Sequence, residues 1–150
     1  MRVFIAGVMQ GSRLDDRVTD QAYRASISRL LEEHVPGVRI VDPWALHPES
    51  ESYGVDRARE TFLEMSEVAG HVDVLVAYLP EASMGTAIEM WQAHRNSAQV
   101  LTISPMVANW VVKLLSSRVF PSLEAFATFV EQGGLRQAGS EVQPGLAALY

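Results

Sequence analysis

Stretches of hydrophobic residues alternate with helical patterns along most of the chain. Five short runs are apolar at nearly every position and rich in β-branched residues, as is typical of strands covered on both faces of a sheet. The most complete run is 73–79, and Pro80 ends it because proline has no N–H to donate to a strand ladder. The predicted strands span residues 2–8, 38–41, 73–79, 100–103 and 118–120.

Between the strands, apolar residues recur at spacings of three and four, which is the period of an amphipathic helix. The first such pattern begins near Thr19 and continues to the Pro36-Gly37 break, with Tyr23, Ile27, Leu30 and Leu31 on one face. In the second, Ala58, Phe62, Met65 and Ala69 are predicted to face inward. The later helical patterns span residues 56–69, 83–93, 105–115 and 122–133.

The alternation of five strands with five helices predicts a mainly parallel sheet with right-handed crossovers. We expect a flavodoxin-like three-layer α/β/α fold with strand order 2-1-3-4-5. This order places strands 1 and 3 side by side, so that the loops 9–18 and 80–85 face one crevice. Residues 42–54 are predicted to form a long loop. Residues 134–150 lack periodicity and are expected to be a C-terminal tail after a single domain, 1–133.

Composition narrows the class of protein. The chain has 150 residues, of which 48% are hydrophobic and 20% charged, as in one globular domain. A net charge of −6 argues against binding to a nucleic acid polymer, which needs a basic surface. The absence of cysteine excludes disulfide and thiolate chemistry and fits a cytoplasmic location. No apolar run reaches the roughly 20 residues of a membrane span, and the four histidines lack metal-ligand spacing.

Two segments at the predicted crevice could hold an anion. The loop after strand 1 has free backbone N–H groups, hydroxyl and cationic side chains, the composition of an anion-binding nest; an ordinary turn is the alternative. It lacks the Gly-Lys-Ser/Thr of a P-loop and the spacing of a dinucleotide fingerprint. Ser83 and Gly85 form the second candidate, although Ser83 is equally suited to cap the following helix. The loop residues concerned are Gly7, Met9, Gln10, Gly11, Ser12 and Arg13.

Glu89 is the sharper chemical signal, because its neighbours Ala87, Ile88 and Met90 are apolar. We expect the helix N-terminus to hold this carboxylate ionised at the crevice. Glu64, on the preceding helix, is a second candidate, and an exposed helix carboxylate is the alternative for it. Two carboxylates at one crevice suit chemistry at an acetal carbon, where one attacks or stabilises an oxocarbenium ion and the other handles protons or hydroxyls.

The sequence resembles the nucleoside 2-deoxyribosyltransferase superfamily. The resemblance rests on Phe4-Ile-Ala-Gly7, a carboxylate on the second helix, Asp73-Val-Leu-Val and Ser83-Met-Gly-Thr-Ala-Ile-Glu89-Met, and it covers most of residues 2–130. It implies a flavodoxin-like fold, action on the N-glycosidic bond of nucleosides or nucleotides, no metal or other cofactor, and homodimers or larger assemblies with shared active sites.

Carried over by position, Glu89 matches the nucleophile that attacks C1′ of the sugar, and Glu64 lies near the position of a helper aspartate. Ser83 stands where transferases of free nucleosides have Asp and where hydrolases of 5′-monophosphates have Ser. Residues 9–13 resemble the phosphate loop of the 2′-deoxynucleoside 5′-phosphate N-hydrolases. There are two departures: Phe4 stands where the family often has a tyrosine touching the nucleophile, and Trp91 replaces a small residue.

The sequence therefore predicts an enzyme, a nucleotide N-glycosidase that releases the base from (2′-deoxy)nucleoside 5′-monophosphates. Base exchange between deoxynucleosides and a non-catalytic nucleotide-binding module remain as alternatives, and the two departures leave an inactive or altered member open. The helix 105–115 carries too many apolar residues for one buried stripe, which predicts a homodimer. Asn109 or the Ser116-Ser117 pair is expected to complete the partner's phosphate or sugar site.

Overall fold

The chain forms three layers, a parallel sheet between two layers of helices. A computed structural model describes residues 1–15 and 17–137. Its strands are β1 (Arg2–Gly7), β2 (Arg39–Val41), β3 (Val74–Tyr78), β4 (Gln99–Ile103) and β5 (Arg118–Phe120). Its helices are α1 (Ala22–His34), α2 (Pro43–Leu46), α3 (Val55–Ala69), α4 (Met84–Arg95), α5 (Trp110–Leu115), α6 (Leu123–Glu131) and α7 (Gly134–Gln137).

All neighbouring strands run parallel, in the order β2-β1-β3-β4-β5. Val3 of β1 lies opposite Ile40 of β2 on one side and Val74 of β3 on the other. The predicted fold class and strand order are thereby confirmed. The carboxyl ends of β1 and β3 lie side by side, at the point where the connections leave the sheet in opposite directions, which is where ligands bind in folds of this type.

Each face of the sheet has its own hydrophobic core because successive side chains of a strand point to opposite faces. Val3 and Ile5 pack under α1 and α6. Phe4 and Ala6 pack on the other face, under α3, α4 and α5. Phe4 is fully buried in that second core.

Two segments differ from the sequence prediction. Residues 42–54 are not one open loop, since they contain α2 and a 3₁₀ turn at Ser50–Ser52. Asp42 begins α2 by accepting a hydrogen bond from the Trp44 N–H at 3.0 Å. The helix predicted over 105–115 begins only at Trp110, because the Asn109 side chain caps it there.

The inward face of α3 was also predicted only in part. Met65 and Ala69 are buried as expected, whereas Ala58 and Phe62 are exposed. The amino-terminal half of α3 is thus exposed on the face that was predicted to be buried.

The helix α7 follows residue 133, and its Leu135 is buried in the core beside α6. The remainder of the predicted tail, residues 138–150, lies outside the described residues. No helix in the described part of the chain combines the length and apolarity needed to cross a bilayer.

Candidate functional site

A cavity of about 320 Å³ opens at the carboxyl ends of β1 and β3. It lies between the loop that follows β1, the start of α1 and the loop that follows β3. The sequence predicted that the loops after β1 and β3 face one crevice, and residues at the ends of both loops line this cavity. The lining includes Val8, Thr19, Asp20, Tyr23, Tyr78 and Glu81.

Tyr23, the second residue of α1, forms the floor of this cavity. Its ring stacks on that of Tyr78 with centroids 4.3 Å apart. Its hydroxyl donates to the Val8 carbonyl at 3.5 Å and lies over Gly7, where any Cβ would overlap with it. Gly7 is therefore required by a close approach of side chain to backbone. Burial raises the pKa of the Tyr23 phenol above its usual value, so the hydroxyl keeps its proton and can donate.

Arg24 places a buried cation beside Tyr23. Its side chain is 3% exposed and donates to the Ile5 carbonyl and to Asp42 Oδ1, both at 2.8 Å. It also donates to Gln21 Oε1 at 2.7 Å. Asp42, at the end of β2, is the counterion that makes this burial possible, because an unpaired charge would be costly there. The cation is thus fixed at the carboxyl edge of the sheet.

Glu89, in the second turn of α4, lies in the opposite layer of helices. It is not among the residues that line the cavity, but it is close enough to Arg24 and Tyr23 to interact electrostatically with both. The residue keeps part of its surface exposed, while its carboxyl group is surrounded by protein atoms. Burial raises the pKa of the Glu89 carboxyl to about 8, and the nearby charge of Arg24 opposes this shift. The charge of Glu89 acts in turn on Tyr23, so α1 and α4 place the two groups within electrostatic range of each other.

The expectation that the helix N-terminus keeps Glu89 ionised was wrong. The field of a helix terminus acts mainly within the first turn. Glu89 is the sixth residue of α4, so loss of water outweighs it.

Glu64 lies on an exposed face of α3. Within the described residues no hydrogen bond or ion pair holds its carboxylate, in contrast to Asp42. Its role as a second catalytic carboxylate stays a prediction.

The loop after β1 turns at Gly11, whose φ of +60° favours glycine. Thr19 closes the loop, since its N–H donates to the Met9 carbonyl at 2.7 Å. Arg13 binds Asp15 with two hydrogen bonds of 2.7 Å, one from Nε and one from Nη2. This pairing raises the pKa of Arg13 and lowers that of Asp15. The guanidinium is therefore already engaged by a carboxylate of its own loop.

The side chains of Gln10 and Ser12 have no hydrogen-bond partner among the described residues. Gln10 and Ser12 are exposed. The cavity is lined by the two ends of the loop, at Val8 and at Thr19 and Asp20, and residues 9–13 are not part of its lining. Their predicted role in holding a phosphate stays a prediction.

Ser83 acts as the N-cap of α4. Its Oγ accepts from the Thr86 N–H at 3.3 Å and from the Thr86 hydroxyl at 3.0 Å. Gly85 lies next to the Phe62 ring, at ordinary contact distance for a Cβ. Both residues begin the helix that carries Glu89, and the capping interpretation of Ser83 is confirmed.

Asn109 and Ser117 have structural partners within the chain. The Asn109 side chain accepts from the Val111 N–H at 2.9 Å. Ser117 lies at the other edge of the sheet, where its Oγ accepts from the Val100 N–H at 3.2 Å. The structure does not bring Ser117 to the crevice of its own chain, and a contribution of either residue to a partner's site stays a prediction.

In residues 1–15 and 17–137 no group of three or more His, Asp or Glu side chains is placed to hold a metal ion.

No family model matches the sequence, and no curated protein matches it. Solved structures do share its fold. A 2-deoxyribosyltransferase from Bacillus psychrosaccharolyticus superposes with a TM-score of 0.68 at 15% identity, covering 97% of this chain and all of that one. A protein from Burkholderia pseudomallei described as pilus assembly-related gives 0.55 at 10% identity, covering 95% of this chain and 94% of that one.

A CMP N-glycosidase from Clostridium botulinum gives a TM-score of 0.47 at 12% identity, covering 88% of this chain and 99% of that one. At these sequence identities the first two superpositions establish the fold alone. The third has a TM-score below 0.5 and adds nothing to that assignment.

Proposed function

We propose that this chain breaks the N-glycosidic bond of nucleosides or nucleotides, and that its substrates are (2′-deoxy)nucleoside 5′-monophosphates. The observation that carries the proposal is the burial of the Glu89 carboxyl on the helix that follows β3, within electrostatic range of Tyr23 and Arg24. The fold shared with a 2-deoxyribosyltransferase supports it.

Glu89 is the group that acts at C1′. Its carboxylate attacks C1′ as the bond to the base nitrogen breaks, and the bonding electrons leave with the base, which takes a proton from water. A second water then adds to C1′ and releases the carboxylate, so that the sugar phosphate is the other product. A poorly solvated carboxylate suits this step, because positive charge develops at C1′ in the transition state.

The ionisation state of Glu89 controls this mechanism. With a pKa of about 8, the carboxyl is mostly protonated at pH 7 in the empty site. Arg24 favours the ionised form. The positive charge that develops on the sugar acts in the same direction once substrate is bound.

The monophosphate part of the proposal rests on the loop 9–13 and on Ser83. The loop turns at Gly11, and its two ends line the cavity at Val8 and Thr19. Ser83 is uncharged at the start of α4, so it does not repel a phosphate as a carboxylate would. These features allow a phosphate at the sugar's 5′ end.

A second candidate, base exchange between free deoxynucleosides, is favoured by the charges at the same loop. Arg13 is paired with Asp15, and the Glu81 carboxylate lies against Gly11. A hydroxyl at the 5′ end meets no repulsion there. A nucleotide-binding module without catalysis would bind but release no base.

The test is incubation with a matched panel of deoxynucleoside and ribonucleoside 5′-monophosphates and free nucleosides, with and without an acceptor base. Chromatography then measures free base and any new nucleoside. We expect the unmodified chain to release free base from monophosphates and the Glu89→Gln variant to release none. New nucleoside formed from an acceptor base would favour the exchange candidate. Binding without any base release would overturn catalysis.

We also propose that the chain forms a homodimer through the outer surface of α3, α4 and α5. Large apolar side chains are exposed there, notably Trp110 at 79%, Leu114 at 60%, Leu63 at 59% and Trp91 at 51%. A surface of this kind is typical of an interface. Trp91 stacks loosely on His94 on this outer surface, so it fills the proposed interface and leaves the crevice unobstructed. Light scattering at micromolar concentration tests the assembly, and a monomer mass would contradict it.

A further inference from the structure

Gln21, the residue immediately before α1, lies between the loop after β1 and the buried side chain of Arg24. Its Nε2 donates hydrogen bonds to the carbonyl of Val8 at 3.1 Å and to the carbonyl of Thr19 at 2.8 Å. Its Oε1 accepts from Arg24 Nε at 2.7 Å and lies 3.4 Å from the Tyr23 hydroxyl. One amide group therefore contacts both ends of the loop and two side chains of the helix that follows it.

The chemistry of these partners fixes the orientation of the Gln21 amide. Backbone carbonyls only accept hydrogen bonds, and the guanidinium of Arg24 only donates them. The amide NH2 group must therefore face the loop and the amide oxygen must face Arg24, because the reverse orientation would place like groups against each other at both ends. A carboxylate of the same size would still accept from Arg24, but it has no hydrogen to donate to the carbonyls of Val8 and Thr19.

The two partners on the loop side belong to the wall of the cavity. Val8 and Thr19 both line it, and the Thr19 hydroxyl donates to the same Val8 carbonyl at 3.1 Å. The partner on the other side, Arg24, is the cation that acts on Glu89. Gln21 itself is not among the described residues that line the cavity, so any influence that it has on a bound ligand passes through these neighbours.

We propose that Gln21 is a positioning residue, whose amide holds the two ends of the loop after β1 and the buried Arg24 side chain in one fixed arrangement. The proposal rests on the function proposed above and deepens it, since it names the residue that couples the wall of the cavity to the charge acting on Glu89. Loss of the amide should therefore release the loop, and a negative charge in its place should oppose Arg24. The ionisable groups around this network come from α1, the end of β2, β3 and α4, namely Tyr23, Arg24, Asp42, Tyr78 and Glu89.

The first measurement follows the loop by limited trypsin digestion without substrate. Arg17 lies within the loop and its side chain is 82% exposed, whereas Arg95 lies at the end of α4 and reports on opening elsewhere in the domain. Gln21→Met keeps the length of the side chain and removes its hydrogen bonds. We expect cleavage after Arg17 to become about fivefold faster, with unchanged cleavage after Arg95, because local opening exposes the loop without unfolding the core.

The second measurement titrates the Glu89 carboxyl by carbon NMR spectroscopy, again without substrate. Gln21→Glu places a carboxylate beside Arg24, which offsets part of the positive charge that favours ionised Glu89. We expect the titration midpoint of Glu89 to rise by about one pH unit, and the rise of kcat/KM with pH to move upward by the same amount. Gln21→Met should leave the midpoint unchanged, because Arg24 keeps its hydrogen bonds to Asp42 and to the Ile5 carbonyl.

Gln132→Met and Gln132→Glu are the matched controls, since Gln132 is exposed at the end of α6, and they should change neither measurement. The proposal is overturned if the Glu89 midpoint stays in place in Gln21→Glu, or if trypsin cleavage of Gln21→Met accelerates equally at Arg17 and Arg95 or at neither. Failure of the proposed function would show separately, as no base release by the unmodified chain from any substrate.

Discussion

Replacement of Glu89 by glutamine should remove activity and raise stability in the same variant. Glutamine keeps the shape of the side chain but cannot ionise. We expect base release to fall by a factor on the order of 10³ or more, because the group acting at C1′ is lost. The gain in stability follows from burial, which raises the pKa of Glu89 from 4.5 to about 8.

The sign and size follow from proton linkage. Between pH 4.5 and 8 the unfolded chain has lost the Glu89 proton while the folded chain keeps it, so the stability of the unmodified protein falls as pH rises. At about 1.4 kcal/mol for each pH unit, the penalty reaches roughly 3 kcal/mol at pH 7. Partial exposure of the residue reduces this to about 2 kcal/mol. At pH 5 the penalty is less than about 1 kcal/mol.

Urea unfolding of both proteins at pH 5, 6, 7 and 8 measures this difference directly. The difference in free energy of unfolding between Glu89→Gln and the unmodified protein should grow with pH. In a thermal scan at pH 7, Glu89→Gln should melt roughly 4–8 °C higher. Glu60→Gln, an exposed change on α3, controls for the loss of one surface charge and should show no pH-dependent gain. A constant difference across this range would refute the burial of an uncompensated carboxyl, and retained activity would refute its role at C1′.

Four further predictions follow from the same groups. The kcat/KM for base release should rise about tenfold from pH 7 to pH 9, as Glu89 ionises; a flat profile would contradict the mechanism. Arg24→Met should destabilise the fold by about 3 kcal/mol in urea unfolding, since it leaves Asp42 without its cation, and a loss below about 1 kcal/mol would argue against the buried pair. Tyr23→Phe should lower kcat by about tenfold or more with little change in melting temperature, whereas unchanged kinetics would exclude a role for the hydroxyl. Trp110→Asp should give a monomer by light scattering with an unchanged circular dichroism spectrum, and a persisting dimer would place the interface elsewhere.

The sheet was predictable because its signals are strong and local. Strands buried on both faces read as continuous apolar runs, and the right-handed crossover rule leaves few orders for five of them. The helix over 105–115 shows the limit of the same reasoning. Apolar residues at 107, 110 and 111 continue a helical pattern, yet they are exposed, and the Asn109 cap starts the helix only at 110. A periodic pattern shows where apolar residues recur along the chain, but it does not show whether other parts of the protein bury them.

Arg24 was missed for a different reason, and the sequence did contain a signal for it. Arg24, Ile27 and Leu31 share one face of α1 at spacings of three and four, and all three are buried. A cation on the apolar stripe of a helix needs a buried counterion. Asp42, directly after the short apolar run of β2, is a candidate for that partner from position alone. No pattern within either segment reveals that the two side chains meet, because that depends on β1 and β2 being neighbours.

Phe4 illustrates how a departure from a family pattern is resolved by three-dimensional position. The resembled family often has a tyrosine there, beside the nucleophile, and Phe4 offers no hydroxyl. In this chain Phe4 is fully buried in the core under α3, α4 and α5. A hydroxyl nevertheless faces the crevice, since Tyr23 brings one over Gly7 from the opposite layer and interacts with the charge of Glu89. The Tyr23 hydroxyl donates to the Val8 carbonyl and not to Glu89, so it does not replace the missing donor by a hydrogen bond. Tyr23→Phe tests whether its electrostatic interaction with Glu89 matters.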